Sequence, residues 1–408
     1  MTLSLTKPSA GATDWTSSQN QNWSDIEDHV NSRRLPKGYV RGLMVRWASI
    51  TTCTVGPGVA RSADDSIDIA LSSEVTVDIT SAGAVNGLDE KSLTGTGTTD
   101  GSTTLTGSGT AFLTEFGTRD LTGTISSSST TVTGTGTKFL SEVAVNDLIG
   151  NSSKGYWRII SIASDTSLTL SVAPASAFSS EAAKVIESPT VSAGSDKRLV
   201  RTITSDTNLT ATSAFSNGGG GLSLKAGVEG FANLWYAVWA ITGASGSGAY
   251  LSTQRTTLLS PPSGYTSGAR RVGWVFNGGD MISTYQIGSG RERDVVWEYS
   301  VGGAFTVIIS AGNAGAWTDA TCNGAAPPTA RQLLATSRIF QPGSETSIHF
   351  RERAAGSSTT SRNLHHIGET SDDDTSYLVI PIDGAQYLQY FGGGGSAYLY
   401  AVGYRDTL

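Results

Sequence analysis

The sequence predicts an all-β protein of several domains, and three observations predict it. Of 408 residues, 49 are glycine and only 15% of the chain is charged, which favours short strands joined by tight turns. Segments rich in Thr, Val, Ile and aromatic residues recur between these turns. Thr103–Leu121 also returns 27 positions later as Thr130–Leu148, with the frame TTxTGxGTxFLxE…DL kept in both copies. Such repetition is typical of duplicated modules. We therefore expect β-sandwich or jelly-roll-like domains together with a repeated small β module.

Charge and hydropathy exclude several classes of function. The net charge is -7 and the sequence pI is about 5.2, so the chain carries no electrostatic footprint for nucleic acid. It contains no run of about 18 apolar residues, and we expect no membrane insertion. The first residues lack the basic and apolar regions of a secretory signal, so we expect synthesis in a cytoplasm.

The two cysteines, Cys53 and Cys322, are far apart in the sequence. A single pair of this kind is not a disulfide framework. We expect two buried and unreactive thiols, and a disulfide between them is the alternative.

Residues 1–48 are predicted to form an N-terminal attachment arm with one short helix. Ser24 to Glu27 fits a helix capping box. Aromatic and apolar residues of this arm could either anchor the chain to a larger assembly or pack on the next domain. The candidate assembly anchors are Trp15, Trp23, Ile26 and Val30.

Strand patterns lead to specific expectations for four later segments. Ser66–Thr80 alternates and breaks at Ser72-Ser73, which predicts a hairpin. Leu234–Ile241 is apolar on both faces and should be a central strand buried on both sides. Arg291–Ser300 alternates in sign, so its charges should lie on opposite faces, at solvated edges rather than in interchain salt bridges. The last segment should place four residues on one face: Tyr398, Tyr400, Val402 and Tyr404.

Within the repeats, Phe112 and Phe139 occupy equivalent places and are expected to fill the small core of each module. A second echo relates Ile160–Ser171 to Arg201–Thr212. The second copy continues through two more strands before residue 174, whereas the first copy is interpreted as truncated.

The sequence suggests no catalytic, cofactor or metal site, so we expect a protein that is not an enzyme and needs no cofactor. It contains no nucleophile elbow, phosphate-binding loop, HExxH or CxxC motif. His365 and His366 with Glu369 are a poor metal site, because neighbouring strand residues point to opposite faces. Asp372–Asp374 lacks EF-hand spacing and is interpreted as a solvated loop. The Trp and Tyr residues are assigned to core or subunit packing rather than to sugar-stacking platforms.

Several segments together resemble bacteriophage virion appendage proteins of the tail-fibre type. The opening LTKPSAGATDWTSSQNQNWSDIED resembles their N-terminal arm. Thr51–Leu93 is similar to their first β segment. Asn233–Asp280 has their Trp-Tyr strand, Ser-rich strand, Pro-Ser-Gly-Tyr and Arg-Arg-Val-Gly strand. The repeat frame resembles a small β module common in phage tail proteins.

This resemblance implies a domain organisation. In such proteins the Gly-Leu-Asp segment closely precedes the Trp-Tyr strand, whereas here the repeats separate Leu88-Asp89 from Trp235-Tyr236. The repeats are therefore interpreted as an insertion into one β domain. The expected units are an arm (1–48), a split β domain (49–91 plus 216–340), inserted modules (92–215) and a C-terminal β segment of the same distal domain (341–408).

The resemblance also implies a function. The expected protein is a non-enzymatic structural component of the virion, made in the host cytoplasm, and most specifically a homotrimeric tail fibre or receptor-binding appendage. Trimerisation would bury faces of modules whose own cores are small. Its expected partners are copies of itself, other virion proteins of the tail, neck or capsid, and a host surface polysaccharide or protein. One alternative is a head fibre, capsid decoration or neck/collar protein. Another is a tailspike polysaccharide depolymerase, which the absence of a long parallel β-helix pattern argues against.

Overall fold

The computed structural model describes residues 35–79, 85–87, 90–193, 196–225, 234–255, 258, 261–277, 283–288, 290–297, 306–340, 346–353, 364–368 and 374–408. Strands make up 62% and helix 3%, so the predicted all-β, multidomain fold class is confirmed. The two described helices are four residues long, and neither could cross a membrane. The predicted N-terminal helix lies outside the described residues, as do the candidate anchors Trp15, Trp23, Ile26 and Val30.

Six short strands precede the repeats: β1 (Val40–Gly42), β2 (Val45–Trp47), β3 (Thr52–Val55), β4 (Gly58–Arg61), β5 (Asp68–Leu71) and β6 (Val75–Asp78). β1, β4 and β5 form one sheet, while β2, β3 and β6 join a larger one. The break at Ser72-Ser73 is therefore real, but the predicted hairpin is wrong, because β5 and β6 enter different sheets. The strands β1 and β2 come from the range that the sequence assigned to the arm.

The repeat region supplies twelve strands and both described helices. In order they are β7 (Glu90–Thr99), β8 (Thr104–Ser108), α1 (Phe112–Glu115), β9 (Arg119–Ser127), β10 (Thr131–Thr135), α2 (Phe139–Glu142), β11 (Leu148–Asn151), β12 (Gly155–Ser164), β13 (Ser167–Leu170), β14 (Phe178–Ile186), β15 (Thr190–Ala193), β16 (Asp196–Ser205), β17 (Asn208–Ala211) and β18 (Gly218–Lys225).

These strands form two closed sheets of six strands each. The inner module runs β9-β10-β13-β12-β11-β14 and returns to β9. The outer module runs β7-β8-β17-β16-β15-β18 and returns to β7. A short pairing of β12 with β16 joins the two modules. Because a closed sheet has no free edge, each module satisfies its own backbone hydrogen bonds.

The inner module is nested inside the outer one. The chain builds β7, β8 and α1 of the outer module, then the whole inner module, and then β15 to β18 of the outer module. The interpretation of the first copy as truncated is therefore wrong. Its missing half is the second echo, Arg201–Thr212, which contributes to β16 and β17 just as Ile160–Ser171 contributes to β12 and β13.

Residues that are identical in the two copies of the repeat make the same local contacts in both modules. In the outer module, the hydroxyl of Thr110 donates to the carbonyl of Asp206, whose carboxylate accepts from the Leu113 amide at 2.9 Å. In the inner module, the hydroxyl of Thr137 donates to the carbonyl of Asp165, whose carboxylate accepts from the Leu140 amide at 3.0 Å. Each Asp comes from the Ser-Asp-Thr turn of the second echo. Within each module, these hydrogen bonds therefore join the segment from the first repeat to the segment from the second echo.

Eleven strands follow the repeats and build the body of the protein. They are β19 (Leu234–Gly243), β20 (Gly246–Ser252), β21 (Gly268–Asn277), β22 (Thr284–Ile287), β23 (Glu292–Trp297), β24 (Thr306–Thr321), β25 (Gln332–Phe340), β26 (Thr346–Glu352), β27 (Leu364–Gly368), β28 (Asp374–Pro381) and β29 (Tyr387–Thr407). β19, flanked by β20 and β21, forms a three-stranded sheet. β29 pairs in turn with β23, β24, β25 and β26, so the C-terminal segment is integral to the eleven-stranded sheet.

The strand β19 is buried on both faces, as the sequence predicts. One face carries Trp235 and Trp239 into a core that includes strands near the C-terminus. The opposite face carries Tyr236 and Val238 into a second core, with the N-terminal strands. At about 25 cal/mol per Å² of apolar surface, burying such large side chains on both sides is a major contribution to stability.

The alternating charges of β23 separate onto opposite faces, but Arg293 is not at a solvated edge. It is 1% exposed and donates to the carbonyls of Leu43 and Val272 at 2.9 and 3.1 Å and to the Gln286 Oε1 at 2.8 Å. Burial lowers the pKa of Arg293 to about 10, an effect that nearby Asp406 opposes. The guanidinium therefore joins the turn that follows β1 to β21 and β22.

Two glycines of the modules provide a test of the nested fold. Gly95 and Gly123 have φ values of +78° and +80°, and an added Cβ would lie 2.3 and 2.4 Å from a partner-strand carbonyl oxygen. We predict that Gly95→Ala or Gly123→Ala lowers the free energy of unfolding by about 1–3 kcal/mol in urea titrations. Gly221→Ala is the control, because its Cβ would meet nothing within 4 Å. Equal effects at all three positions would contradict this account.

Candidate functional site

The described residues hold no metal cluster, since no three of their His, Cys, Asp or Glu side chains converge closely enough. Of the residues considered from the sequence, His365 and His366 lie in β27. Glu369, Asp372 and Asp373 lie outside the described residues. What the described part of the chain does offer is an open sheet face and a cleft.

The two module residues predicted from the sequence are fully buried. Phe112 begins α1 and packs in the outer-module core, with Phe116 at 6.4 Å between ring centroids. Phe139 begins α2 and packs in the inner-module core beside Val132. Both side chains therefore support their modules rather than a ligand.

A buried ion cluster joins the modules to the body. The Arg255 guanidinium donates to both carboxylate oxygens of Asp147, at 3.0 and 2.6 Å, and its Nε lies 3.7 Å from the Glu187 carboxylate. The Arg119 Nε lies 3.5 Å from the same Glu187 carboxylate. Burial alone would lower the pKa of Arg255, but the two carboxylates outweigh it and raise the pKa. Two cations thus balance two anions at the junction.

Beside this cluster lies a cleft of about 270 Å³, here called the junction cleft. Residues of the inner module, of the connection between β14 and β15, and of the body line it. Trp235 and Trp274 are among the lining residues, although both side chains are buried in the body core. Their indole N–H groups donate to the Asn323 carbonyl at 2.7 Å and the Thr329 hydroxyl at 2.9 Å. The polar lining consists of Asn146, Ser188, Thr253, Arg255, Asn323 and Gln386.

The backbone around the junction cleft is unusual. Among the described residues, eight that are not glycine have positive φ, and three of these line this cleft. They are Asn146 at +77°, Ser188 at +38° and Gln386 at +66°. Such conformations are unfavourable for residues with a Cβ and concentrate at binding and catalytic sites. Three of the eight described positive-φ positions outside glycine thus lie at this cleft.

A second feature is the open face of β28, β25, β29, β24, β23 and β22, here called the outer face. Strand register places its side chains in rows. One row contains Tyr377, Thr336, Tyr400 and Val307 in directly paired positions. Tyr377 is 63% and Val307 47% exposed. Farther along the same face lie Tyr285 and Ile287, 39% and 50% exposed. Four of the six large hydrophobics exposed in the described chain thus belong to one sheet face.

An ion pair lies within the outer face. Arg405 donates to both carboxylate oxygens of Asp294, at 2.6 and 3.0 Å, and to the Gln332 Oε1 at 3.1 Å. Asp294 lies opposite Ile287 in the neighbouring strand. The face therefore presents apolar side chains around a neutral ion pair.

A register shift on β29 corrects one sequence prediction. Tyr404 does not share a face with Tyr398 and Tyr400, because the pairing slips between Leu334 and Ala335. Tyr404 turns inward and packs on Trp235, with ring centroids 5.4 Å apart. The alternating pattern correctly predicts a shared face for Tyr398 and Tyr400, but it cannot reveal a shift in strand register.

Both thiols are free and buried, in different cores. Burial raises the pKa of Cys53 to about 12, and burial followed by the nearby Asp383 raises that of Cys322. The structure thus favours the two unreactive thiols over the disulfide alternative.

Sequence reasoning missed the junction cleft because its residues come from distant segments without a local motif. Asn146 and Gln386, for example, are brought together only by the docking of the inner module on the body. The one local signal is Asp147, the aspartate of the repeat frame, which lies next to Asn146.

Comparisons with known proteins add no assignment. The sequence matches no protein-family model, and a search of curated proteins gives no significant match.

The ion cluster can be tested by removing its cation. We predict that Arg255→Met lowers the free energy of unfolding by about 3–5 kcal/mol, because Asp147 is left buried without its partner. The control is Lys184→Met, which removes the exposed pair with Asp120 and should change stability by less than about 1 kcal/mol. Urea titration measures the free energy of unfolding of both variants. Similar small decreases in both would show that Arg255 does not stabilise the junction.

Proposed function

We propose that this chain is a non-enzymatic structural protein of a bacteriophage virion, acting as a homotrimeric tail fibre or receptor-binding appendage. The resemblance of its arm, first β segment and Trp-Tyr region to such proteins supports the virion assignment. The outer face is the structural observation that carries the assembly role.

The outer face has the properties of a surface that another protein covers. Contiguous exposed apolar groups are unusual on monomers and mark interaction sites. Here they are concentrated in register across neighbouring strands, around Tyr377 and Ile287. Aromatic side chains such as Tyr377 and Tyr285 are favoured anchors of protein interfaces.

A second copy of this chain is the partner that best fits the outer face. The Asp294–Arg405 pair is neutral overall, which reduces like-charge repulsion when identical faces approach each other. The chain is acidic overall, with a net charge of -7, which disfavours close approach elsewhere. Identical subunits in closed assemblies use self-complementary or cyclic contacts of this kind.

The mass of the protein in solution tests this proposal. We predict a mass near three times 42.4 kDa by light scattering. Tyr377→Glu or Ile287→Glu should shift the mass to that of the monomer, because each introduces a charge into the apolar face. Ile160→Glu is the control, since Ile160 is 43% exposed but lies on the inner module.

Three outcomes would contradict the proposal. A wild-type monomer at micromolar concentration would remove the self-assembly role. Trimers that survive both outer-face substitutions would place the interface elsewhere. Dissociation by Ile160→Glu as well would show that the effect is not specific to the face.

A further inference from the structure

We propose that the point where the two modules meet binds one small oxyanion with two negative charges, phosphate or sulfate, through Arg158, Arg201 and Ser171. Arg158 lies in β12 of the inner module and Arg201 in β16 of the outer module, while Ser171 directly follows β13. This inference is independent of the assembly role, because it uses the modules and not the outer face.

Strand register brings the three residues side by side. Trp157 of β12 pairs with Thr202 of β16. The next position along these antiparallel strands sets Arg158 beside Arg201. From the following residue onward, β12 pairs with β13 instead, and the Ser171 amide donates to the Arg158 carbonyl at 2.8 Å. Residues opposite each other in antiparallel strands place their side chains on the same face, so Arg158 lies between the other two.

The positive charge of this group is not balanced within the described part of the chain. The Arg158 Nη1 donates to the neutral Asn146 Oδ1 at 2.8 Å. Among the described residues, no carboxylate pairs with Arg158 or Arg201. Burial lowers the pKa of Arg158, and the nearby charge of Arg201 lowers it further. Two guanidinium groups are therefore held together without a counter-charge.

Two buried polar atoms of the same group lack a hydrogen-bond partner. They are the Arg158 Nε and the Ser171 Oγ. Buried polar atoms are nearly always hydrogen-bonded, and leaving one unsatisfied costs free energy. A guanidinium N–H donates and a hydroxyl can donate, so one negatively charged acceptor would satisfy both atoms. Phosphate and sulfate are such acceptors, and arginine is the side chain best suited to bind them.

The duplicated sequence does not require the two arginines. In the second echo, Arg201 stands where the inner module has Ile160. The same offset aligns Arg158 with Leu199 of the outer module. Like charges beside each other on paired strands are destabilising. The two cations are thus specific to the place where the modules meet, and a bound anion would offset their repulsion.

The experiment titrates full-length protein with phosphate and with sulfate by isothermal titration calorimetry, in chloride at constant ionic strength. We expect saturable binding of both ions. Arg201→Gln and Arg158→Gln should each weaken binding at least about tenfold, because each removes charge-assisted hydrogen bonds to the ion. The control is Lys138→Gln, which removes an exposed positive charge of the inner module next to α2 and should leave binding unchanged.

Thermal melting separates anion binding from a purely structural role of Arg201. In chloride alone, Arg201→Gln should melt at or above the temperature of the wild type, because it removes a like-charge repulsion. In saturating phosphate, the wild type should gain more than Arg201→Gln does, because only the wild type binds the ion well. The difference between the two proteins is compared, since phosphate also stabilises proteins in general by exclusion from their surface.

Methyl phosphate distinguishes the two sources of such an anion. Binding as tight as that of phosphate would support the site and assign it to a phosphate group of a larger ligand. Weaker binding would support the site and assign it to the free ion.

Three results would overturn the proposal. Absence of saturable binding of both ions would show that water alone satisfies the buried donors. Binding that Arg201→Gln and Arg158→Gln leave intact would show that these residues do not hold the ion. An equal gain in melting temperature for the wild type and Arg201→Gln would show that phosphate acts only as a general stabiliser.

Discussion

The fold depends on β19 being buried on both faces. A strand with Trp235 and Trp239 on one side and Tyr236 and Val238 on the other cannot border water on either side, so two layers must cover it. Strands from the beginning of the chain provide one layer, and strands near its end provide much of the other. This requirement brings β1 to β6 together with β22 to β29 and leaves the intervening repeats to form their own modules.

Those modules can be accommodated because each closes on itself. β7 and β18 pair along their length, so the chain enters and leaves the outer module at neighbouring points, and β9 and β14 do the same for the inner module. Nesting therefore adds structure without breaking any sheet of the body. The Arg255 cluster then fixes how the modules sit on the body and forms one wall of the junction cleft.

Sequence patterns predicted what depends on local chemistry. The repeat frame, the cores around Phe112 and Phe139 and the two-sided burial of β19 all follow from residue type and spacing. The errors concern which segments pair with each other in the fold. Alternation predicted the strands β5 and β6 but not that they belong to different sheets. The two sequence repeats were also visible, but not that one module is inserted into the other. The sequence predicts a solvated edge for Arg293 because the carbonyls that hold it come from distant segments of the chain. The junction cleft was missed for the same reason.

Hydrogen–deuterium exchange of the amides of Leu234–Ile241 tests the central role of β19 most directly. Amides at the middle of a doubly covered sheet open only with global unfolding of the body. We expect these amides to exchange more slowly than those of β9, β10 and β13 in the inner module, which closes on itself as a separate unit. Exchange of β19 as fast as that of the inner module would contradict it and would show that the body does not depend on this strand.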